Sequence, residues 1–315
     1  MQHWNSYWSR TKSLNSFAEG EHSQGYVGEV ADFWHKNFAT LPESTNILDL
    51  ATGNGGLAVL AKQYNSNFQV FASDAASIDP LSIFTPEDSS YNILKNIHFY
   101  GNVPSENLTF DNAKFDRVIS QFGFEYAEPV VAFKEVSRVL KPKGEFIALV
   151  HHSDSFISED CRLGLKVLSS FSRAGGIISQ LYNFTEFCQT ISNKNYPTAE
   201  QQIQFKDLNT NLLQSFKQQQ QDCKSEDELD WNNLLLKELL PLIMDWQNTD
   251  IKRMTTIDEN LQAFQQRLQD QNEASWSNTD VERIKGTISR FWTTCEFNII
   301  KLETGILCWA VKTCK

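Results

Sequence analysis

The first half of the chain alternates short apolar runs with amphipathic segments. Residues 56–64 and 130–140 carry apolar side chains at three- and four-residue spacing, which is typical of an amphipathic helix. Apolar runs of strand length stand at residues 46–51, 67–74, 96–102, 115–124 and 145–150. Strands joined by helical crossovers pair in parallel and are covered on both faces. The pattern therefore predicts an α/β domain with a mostly parallel sheet.

The segments that flank this domain have patterns of their own. Residues 1–45 are rich in aromatic side chains, and residues 26–38 repeat apolar positions at helical spacing, so we predict an N-terminal aromatic helical cap. Residues 155–275 show no convincing strand. Helix-start patterns of the capping-box type occur at Thr198-x-x-Gln201, Ser225-x-x-Glu228 and Thr256-x-x-Glu259.

The sheet pattern returns at the end of the chain. A helix with a capping box at Thr279-x-x-Glu282 is followed by two strand patterns, separated only by Thr304 and Gly305. So short a connection allows only antiparallel pairing. The helical block is therefore predicted to be a large all-α insertion after the fifth strand. The predicted segments are residues 1–45, 46–154, 155–275 and 276–315.

Composition and charge narrow the classes of function. The chain has 315 residues, 41% of them hydrophobic and 21% charged, as is usual for globular proteins. We expect no membrane partner, because no apolar run reaches the roughly 18 residues of a membrane helix. The start of the chain lacks the apolar region of a signal peptide, so we expect a cytoplasmic location. The net charge of −11 argues against a nucleic-acid partner. The six cysteines form no C-x-x-C pair, which indicates reduced thiols and no metal site.

A glycine turn joins the first strand to the first helix of the domain. Gly53-x-Gly55-x-x-Ala58, with Asp74 about 20 residues on, formally satisfies the dinucleotide fingerprint. The turn is not a phosphate-binding loop of the nucleotide-hydrolase type, because no Gly-Lys-Ser/Thr run follows its glycines. Asp49, four residues before Gly53, suits a cationic or amino-bearing ligand better than a pyrophosphate. The closing antiparallel hairpin and the polar-aromatic rim after the fourth strand also disfavour a dinucleotide.

The run Asp49-Leu50-Ala51-Thr52-Gly53-Asn54-Gly55 resembles the class I S-adenosylmethionine-dependent methyltransferases. Ala51 replaces the usual first glycine, and this variant is similar to that of methyltransferases acting on small molecules, such as those of quinone biosynthesis. The resemblance covers about residues 46–150 and 279–315. It implies a Rossmann-like methyltransferase sheet, with S-adenosyl-L-methionine as cofactor and S-adenosyl-L-homocysteine as product.

The resemblance also implies cofactor-binding roles. The glycine-turn backbone approaches the methionine part and the ribose, Asp49 faces the amino group, and Asp74 accepts both ribose hydroxyls. Asn102 stands where many relatives have an aspartate that reads the adenine amino group, and Gln121 and Phe122 lie beside the sulfonium. The implied residues are Asp49, Ala51, Gly53, Asn54, Gly55, Asp74, Asn102, Val103, Gln121 and Phe122.

Methyl transfer from a sulfonium is an in-line displacement that needs close alignment and exclusion of water. A general base is needed only if the acceptor must lose a proton. Ligands bind at the carboxyl ends of the strands in such sheets, where Glu125 and Tyr126 follow the fourth strand and His151, His152 and Asp154 follow the fifth. Of these, His151, His152 and Tyr126 are the candidate catalytic residues. One histidine of the pair is equally well explained as a rim or helix-capping residue. Adjacent histidines disfavour a metal site there.

The insertion starts directly after the fifth strand, so we expect it to form a lid over the acceptor, with Trp8 and Arg10 touching the cofactor from the other side. An enclosed pocket favours a small-molecule acceptor. No N/D-P-P-aromatic signature follows the fourth strand, which again disfavours nucleic acid. Three alternatives stay open: a non-catalytic cofactor-binding docking protein, a protein methyltransferase and an NAD(P)-dependent oxidoreductase.

Overall fold

The computed structural model describes residues 1–16, 25–192 and 197–315. The chain forms two compact units. The sheet unit consists of Met1–Ser158 and Ala274–Lys315, and the helical unit consists of Glu159–Glu273. Residues 17–24 of the predicted cap lie outside the described residues. The division into four functional segments stays a prediction.

The sheet unit contains one seven-stranded sheet in the order β3-β2-β1-β4-β5-β7-β6. Strands β1 to β5 pair in parallel, whereas β7 pairs antiparallel with both β5 and β6. The predicted mostly parallel, Rossmann-like sheet with a closing antiparallel hairpin is therefore confirmed. The strands are β1 Asn46–Leu50, β2 Gln69–Ser73, β3 His98–Tyr100, β4 Phe115–Gln121, β5 Leu140–His151, β6 Thr294–Leu302 and β7 Gly305–Cys314.

Helices cover both faces of this sheet. Successive strand residues point to opposite faces, so Leu48 lies in one apolar core and Ile47 in the other. Helices α6 and α12 contribute to the first core, and α2 and α3 contribute to the second. The helices of this unit are α1 Gln2–Trp8, α2 Gly28–Phe38, α3 Gly56–Tyr64, α4 Pro80–Ile83, α5 Tyr91–Leu94, α6 Pro129–Val139 and α12 Asn278–Ile288. A 3₁₀ turn, Phe124–Tyr126, follows β4.

Strand β5 is longer than the sequence pattern predicts. The pattern indicates a Pro/Gly turn followed by a strand from Glu145 to Val150. In the structure the turn becomes a bulge inside the strand, because Leu140 pairs with Phe115 and Glu145 pairs with Arg117. The strand pairs with β4 on both sides of the bulge. The predicted start of the strand is therefore wrong.

The helical unit is built from long helices around an apolar core of its own. Its helices are α7 Phe156–Ser172, which begins in the sheet unit, α8 Ile177–Ser192, α9 Ala199–Gln221, α10 Glu226–Met244 and α11 Ile251–Ala274. Pro241 lies inside α10, which ends one turn later. Across residues 1–16, 25–192 and 197–315, no helix has the length and apolar character needed to cross a membrane.

The helix-start predictions have mixed outcomes. The capping box of Thr198 and Gln201 is confirmed, and the Ser225 side chain caps α10. The start predicted at Thr256 is wrong, because this residue lies within α11, whose first turn is capped by Asp250 instead. The start predicted at Thr279 is also wrong, since the capping box of α12 is formed by Ser277 and Asp280.

Candidate active site

The glycine turn lies between β1 and α3, at the point where the strand order of the sheet reverses between β1 and β4. Ligands of open α/β sheets bind in the crevice at such a point. The backbone of Ala51 has a φ of +52°, and that of Gly53 has a φ of +55°. Gly55 caps α3, and its amide donates to the carbonyl of Thr52. The turn therefore brings several backbone amides to the carboxyl end of β1.

The side chain of Ala51 is accommodated by a glycine on the neighbouring strand connection. Gly123 follows β4, and a Cβ atom there would lie 2.5 Å from the Cβ of Ala51. The two connections can approach this closely only because residue 123 has no side chain. The alanine at the position of the usual first glycine is thus compatible with the fold.

Asp49 is a buried carboxylate on β1, beneath the turn. Its side chain accepts a hydrogen bond of 2.6 Å from the Thr52 hydroxyl, and the nearby backbone amide of Ala58 also lowers the pKa of the carboxyl. Burial raises the pKa of Asp49 to about 7, and the nearby Asp74 adds to this rise. A cationic group beside Asp49 would favour the ionised form.

Asp74 follows β2 and is also buried. Its two carboxylate oxygens accept hydrogen bonds of 2.8 Å from the backbone amides of Gly53 and Ala76. Burial raises the pKa of Asp74 to about 6, although these two hydrogen bonds by themselves lower it. Each oxygen keeps a second lone pair, so the carboxylate can also accept bonds from two ligand hydroxyls.

The N-terminal segment packs directly on the turn. A Cβ atom at Gly53 would lie 2.5 Å from the indole of Trp8, so the close approach that the glycine permits is made by this tryptophan. Asn54 donates to the carbonyls of Thr11 and Ser13, which ties the segment to the turn. Of the two residues expected to touch the cofactor, Trp8 covers the turn and Arg10 is exposed.

The residues predicted to contact adenine lie after β3. Asn102 is exposed and adopts a φ of +58°. Its backbone amide donates a hydrogen bond to the backbone carbonyl of Ala76. Val103 is buried, and its amide donates to the carbonyl of Asp74. The two residues therefore lie next to the loop that Asp74 supports.

Gln121 and Phe122 end β4 on the other side of the crevice. The side-chain oxygen of Gln121 accepts a hydrogen bond from the indole of Trp34. Its Nε2 atom is buried and has no partner among the described residues, as is also true of Oδ1 of Asn54. The Phe122 ring stacks on His151, with 4.5 Å between the ring centroids. A polar ligand in the crevice would satisfy such buried groups.

His151 ends β5 and is held by Glu125, which lies in the 3₁₀ turn after β4. The Glu125 Oε1 atom lies 2.8 Å from the His151 backbone nitrogen and 2.5 Å from Nδ1. The Tyr126 ring stands edge-on to His151 and to Trp4 of α1. Glu125 is among the candidates at the carboxyl ends of the strands, but its pairing with His151 is not predicted, because nothing in the spacing of residues 125 and 151 links them.

The structure separates the two adjacent histidines. His152 is fully buried, stacks on Trp309 and accepts the backbone amide of Asp154 at Nδ1. Burial lowers the pKa of His152, although the Asp154 carboxylate opposes this. His152 is thus a neutral imidazole packed in the apolar core, whereas His151 contacts Phe122 and Tyr126 beside the crevice. Of these two histidines, His151 is the one that lies beside the crevice.

Comparison with known proteins gives a family match for the part of the chain that forms this crevice. Residues 47–144 match the family model described as "Methyltransferase domain". The ubiquinone/menaquinone biosynthesis C-methyltransferases UbiE of Rickettsia prowazekii and Rickettsia bellii are 32% and 33% identical to the chain over 111 residues. Each alignment covers 34% of this chain and 44% of the relative, so the chain spans less than half the length of these relatives.

A search of solved structures finds the PH0226 protein of Pyrococcus horikoshii, with 25% identity and a TM-score of 0.36. That alignment covers 53% of this chain and 72% of the other. The family match and the sheet together show that residues 47–144 form part of a class I S-adenosylmethionine-dependent methyltransferase domain. S-adenosylmethionine is the cofactor of this class.

Proposed function

We propose that the chain transfers a methyl group from S-adenosylmethionine to a small-molecule acceptor. The observation that carries the proposal is the glycine turn with its two buried carboxylates, at the strand-order reversal of a methyltransferase domain. Both Asp49 and Asp74 have raised pKa values, which is common at functional sites.

The residues of the crevice suit each part of this cofactor. Asp49 binds the amino group, which compensates the cost of an ionised buried carboxylate. Asp74 accepts the ribose hydroxyls while Gly53 and Ala76 hold it in place. The exposed Asn102 accepts from the adenine amino group, and Gln121 and Phe122 lie near the sulfur. When bound, the cofactor supplies an activated methyl group.

The N-terminal segment supplies one wall of this site. Because the Trp8 indole covers Gly53, a ribose that approaches this glycine must contact or displace the indole. Trp8 stacks on Trp4, which in turn contacts Tyr126. These rings therefore form an aromatic wall from the turn to the histidine, and this wall excludes water from the reacting atoms.

His151 is the general base of the proposed reaction, and Tyr126 helps to orient it. His151 lies against Phe122, one residue beyond Gln121, so the ring borders the place assigned to the sulfur. Its Nδ1 atom is engaged by Glu125, which leaves Nε2 as the atom that can accept a proton from the acceptor. The buried His152 takes no part.

A small-molecule acceptor is supported by the relatives and by the surface charge. The names of the Rickettsia relatives describe C-methyltransferases of ubiquinone/menaquinone biosynthesis. The chain has a net charge of −11, which disfavours nucleic acid. The chain enters the helical unit soon after β5, and we propose that this unit selects the acceptor.

The proposal is tested with S-adenosylmethionine that carries a labelled methyl group. Purified protein is incubated with this cofactor and with one of two fractions prepared from the cells that naturally produce the protein. One fraction contains the small metabolites, and the other contains the proteins. We expect label in the small-molecule fraction and formation of S-adenosylhomocysteine. Label in the protein fraction would instead support a protein methyltransferase. Cofactor binding without any labelled product would support a non-catalytic binding protein.

A further inference from the structure

We infer that Glu125 is the positioning residue of the active site: it fixes the ring orientation and the proton position of His151. This inference rests on the proposed function for its chemical consequence, but its geometric part stands on the contacts of Glu125 alone. It names a carboxylate that neither the sequence motif nor the family match assigns a role.

Glu125 of the 3₁₀ turn holds His151 of β5 by two contacts. The Oε1 atom of Glu125 accepts a hydrogen bond from the backbone amide of His151 and also lies within hydrogen-bond distance of its ring nitrogen Nδ1. The side chain of Glu125 is 0% exposed and that of His151 is 6% exposed. The ring of His151 is further confined by Phe122 on its face and Tyr126 at its edge. Rotation of the imidazole would break several contacts at once.

The chemistry of the carboxylate decides the tautomer of the histidine. An ionised carboxylate accepts hydrogen bonds and donates none, so Nδ1 of the neutral imidazole must carry the proton. The other ring nitrogen, Nε2, then has a free lone pair. A carboxylate performs the same task for the histidine of serine hydrolases, where it also stabilises the imidazolium that forms.

The thiol of Cys308 cannot take over this role. Cys308 of β7 lies opposite His151 in the strand register. Burial raises the pKa of Cys308 far above its usual range, and the negative charge of Glu125 adds to the rise. The thiol therefore stays neutral, and Glu125 is the group that complements a positive charge on His151.

This arrangement narrows the acceptor to compounds whose reacting atom carries a proton. The acceptor atom bonds to the methyl carbon and displaces the neutral thioether sulfur of the product. The proton of that acceptor atom passes to Nε2 of His151, and the resulting imidazolium is paired with Glu125. The imidazolium later releases the proton to solvent. Hydroxyl, protonated nitrogen and acidic carbon acceptors fit, whereas a tertiary amine or a thioether has no proton to give.

The first test needs no acceptor. NMR of protein with ¹⁵N-labelled histidine reports which ring nitrogen of His151 carries the proton, and the His151→Gln variant assigns its signal. We expect the Nδ1-protonated tautomer in the unaltered protein and a loss of this preference in Glu125→Ala. A proton on Nε2 in the unaltered protein, or an unchanged tautomer in a folded Glu125→Ala variant, would overturn the inference. If Glu125→Ala does not fold, the inference is judged from the His151 tautomer of the unaltered protein. The same NMR measurement is then made on the isosteric Glu125→Gln variant.

The second test uses the acceptor found with labelled S-adenosylmethionine. The Glu125→Gln variant keeps the shape of the side chain but removes its negative charge. We therefore expect kcat to fall by about 10- to 100-fold. The affinity for S-adenosylhomocysteine should stay within about twofold. Because Glu125 acts through His151, adding Glu125→Gln to His151→Gln should cause no further loss. A further loss equal to that of the single variant would contradict the positioning role.

Glu128→Gln is the matched control. This carboxylate lies three residues from Glu125 and caps α6 by accepting the amide of Val131. None of its contacts among the described residues involves His151, so kcat should be unchanged while the melting temperature falls slightly. Failure of the proposed function is recognisable separately: S-adenosylhomocysteine would then not bind, although the tautomer of His151 would still be as expected.

Discussion

Replacing His151 with glutamine is expected to lower kcat by about 10²–10⁴-fold, the usual contribution of a general base. Glutamine has about the size of the imidazole but cannot accept a proton at neutral pH. The backbone amide of residue 151 still donates to Glu125, so β5 and the turn after β4 should keep their positions. Steady-state kinetics with a saturating concentration of each substrate gives kcat, and calorimetry gives the affinity for S-adenosylhomocysteine.

His98→Gln is a suitable control for this experiment. His98 is an exposed residue of β3, at the edge of the sheet, and packs against Phe71. Its replacement should change neither kcat nor cofactor affinity. If His151→Gln retains the kcat of the unaltered protein, no proton passes through this histidine and the acceptor reacts without a base. If the affinity for S-adenosylhomocysteine falls as much as kcat, the residue supports the cofactor site instead.

Replacing Asp49 with asparagine is expected to stabilise the protein above pH 7 while weakening its hold on the cofactor. The pKa of Asp49 is 3.8 in the reference state and about 7 in the folded protein. This difference corresponds to about 4 kcal/mol of folding free energy, an order of magnitude only. Asparagine carries no charge, and the Thr52 hydroxyl can turn to accept a bond from its amide.

The direction of the pH dependence follows from the raised pKa of Asp49. Below about pH 4 the carboxyl is protonated in both the folded and the unfolded chain, and no penalty arises. As the pH rises toward 7 the unfolded chain loses the proton first, so the stability of the folded protein falls and then levels off above about pH 8. Asp74, with a pKa of about 6, adds a similar decrease at lower pH.

Thermal melting of both proteins at pH 6 and pH 8 measures this effect. Asp49→Asn should raise the melting temperature at pH 8 by about 5–10 °C, and the difference should shrink at pH 6. In the unaltered protein the affinity for S-adenosylhomocysteine should fall by about tenfold for each pH unit below 7, because Asp49 must release its proton to bind the amino group. Equal melting temperatures at pH 8 would show that Asp49 bears no buried charge.

The parts of the site that are local in sequence were predictable. A glycine turn between an apolar strand and a helix requires a positive φ and close approach, and Gly53 shows both. Asp74 ends an apolar strand, so its place at the carboxyl edge follows from the strand order of such sheets. The antiparallel hairpin at Gly305 was likewise fixed by a connection of two residues.

The parts that depend on tertiary packing were not predictable from one sequence. Glu125 and His151 come together only because β4 and β5 are neighbours in the sheet. Trp8 of α1 packs on Gly53 although the two residues are far apart in sequence, and no periodicity connects them. The capping box predicted at Thr256 failed because the motif also occurs inside long helices, where backbone amides already have partners.

The central claim, that the turn at Gly53 together with Asp74 binds the nucleoside of S-adenosylmethionine, is tested most directly by calorimetric titration with S-adenosylhomocysteine. The unaltered protein should bind at one site, and NADH should give no binding heat. Asp74→Ala should weaken binding by about 1–3 kcal/mol, whereas Asp79→Ala, a change of an exposed aspartate nearby, should have no effect. Binding of NADH in place of S-adenosylhomocysteine, or an unchanged affinity in Asp74→Ala, would contradict the account.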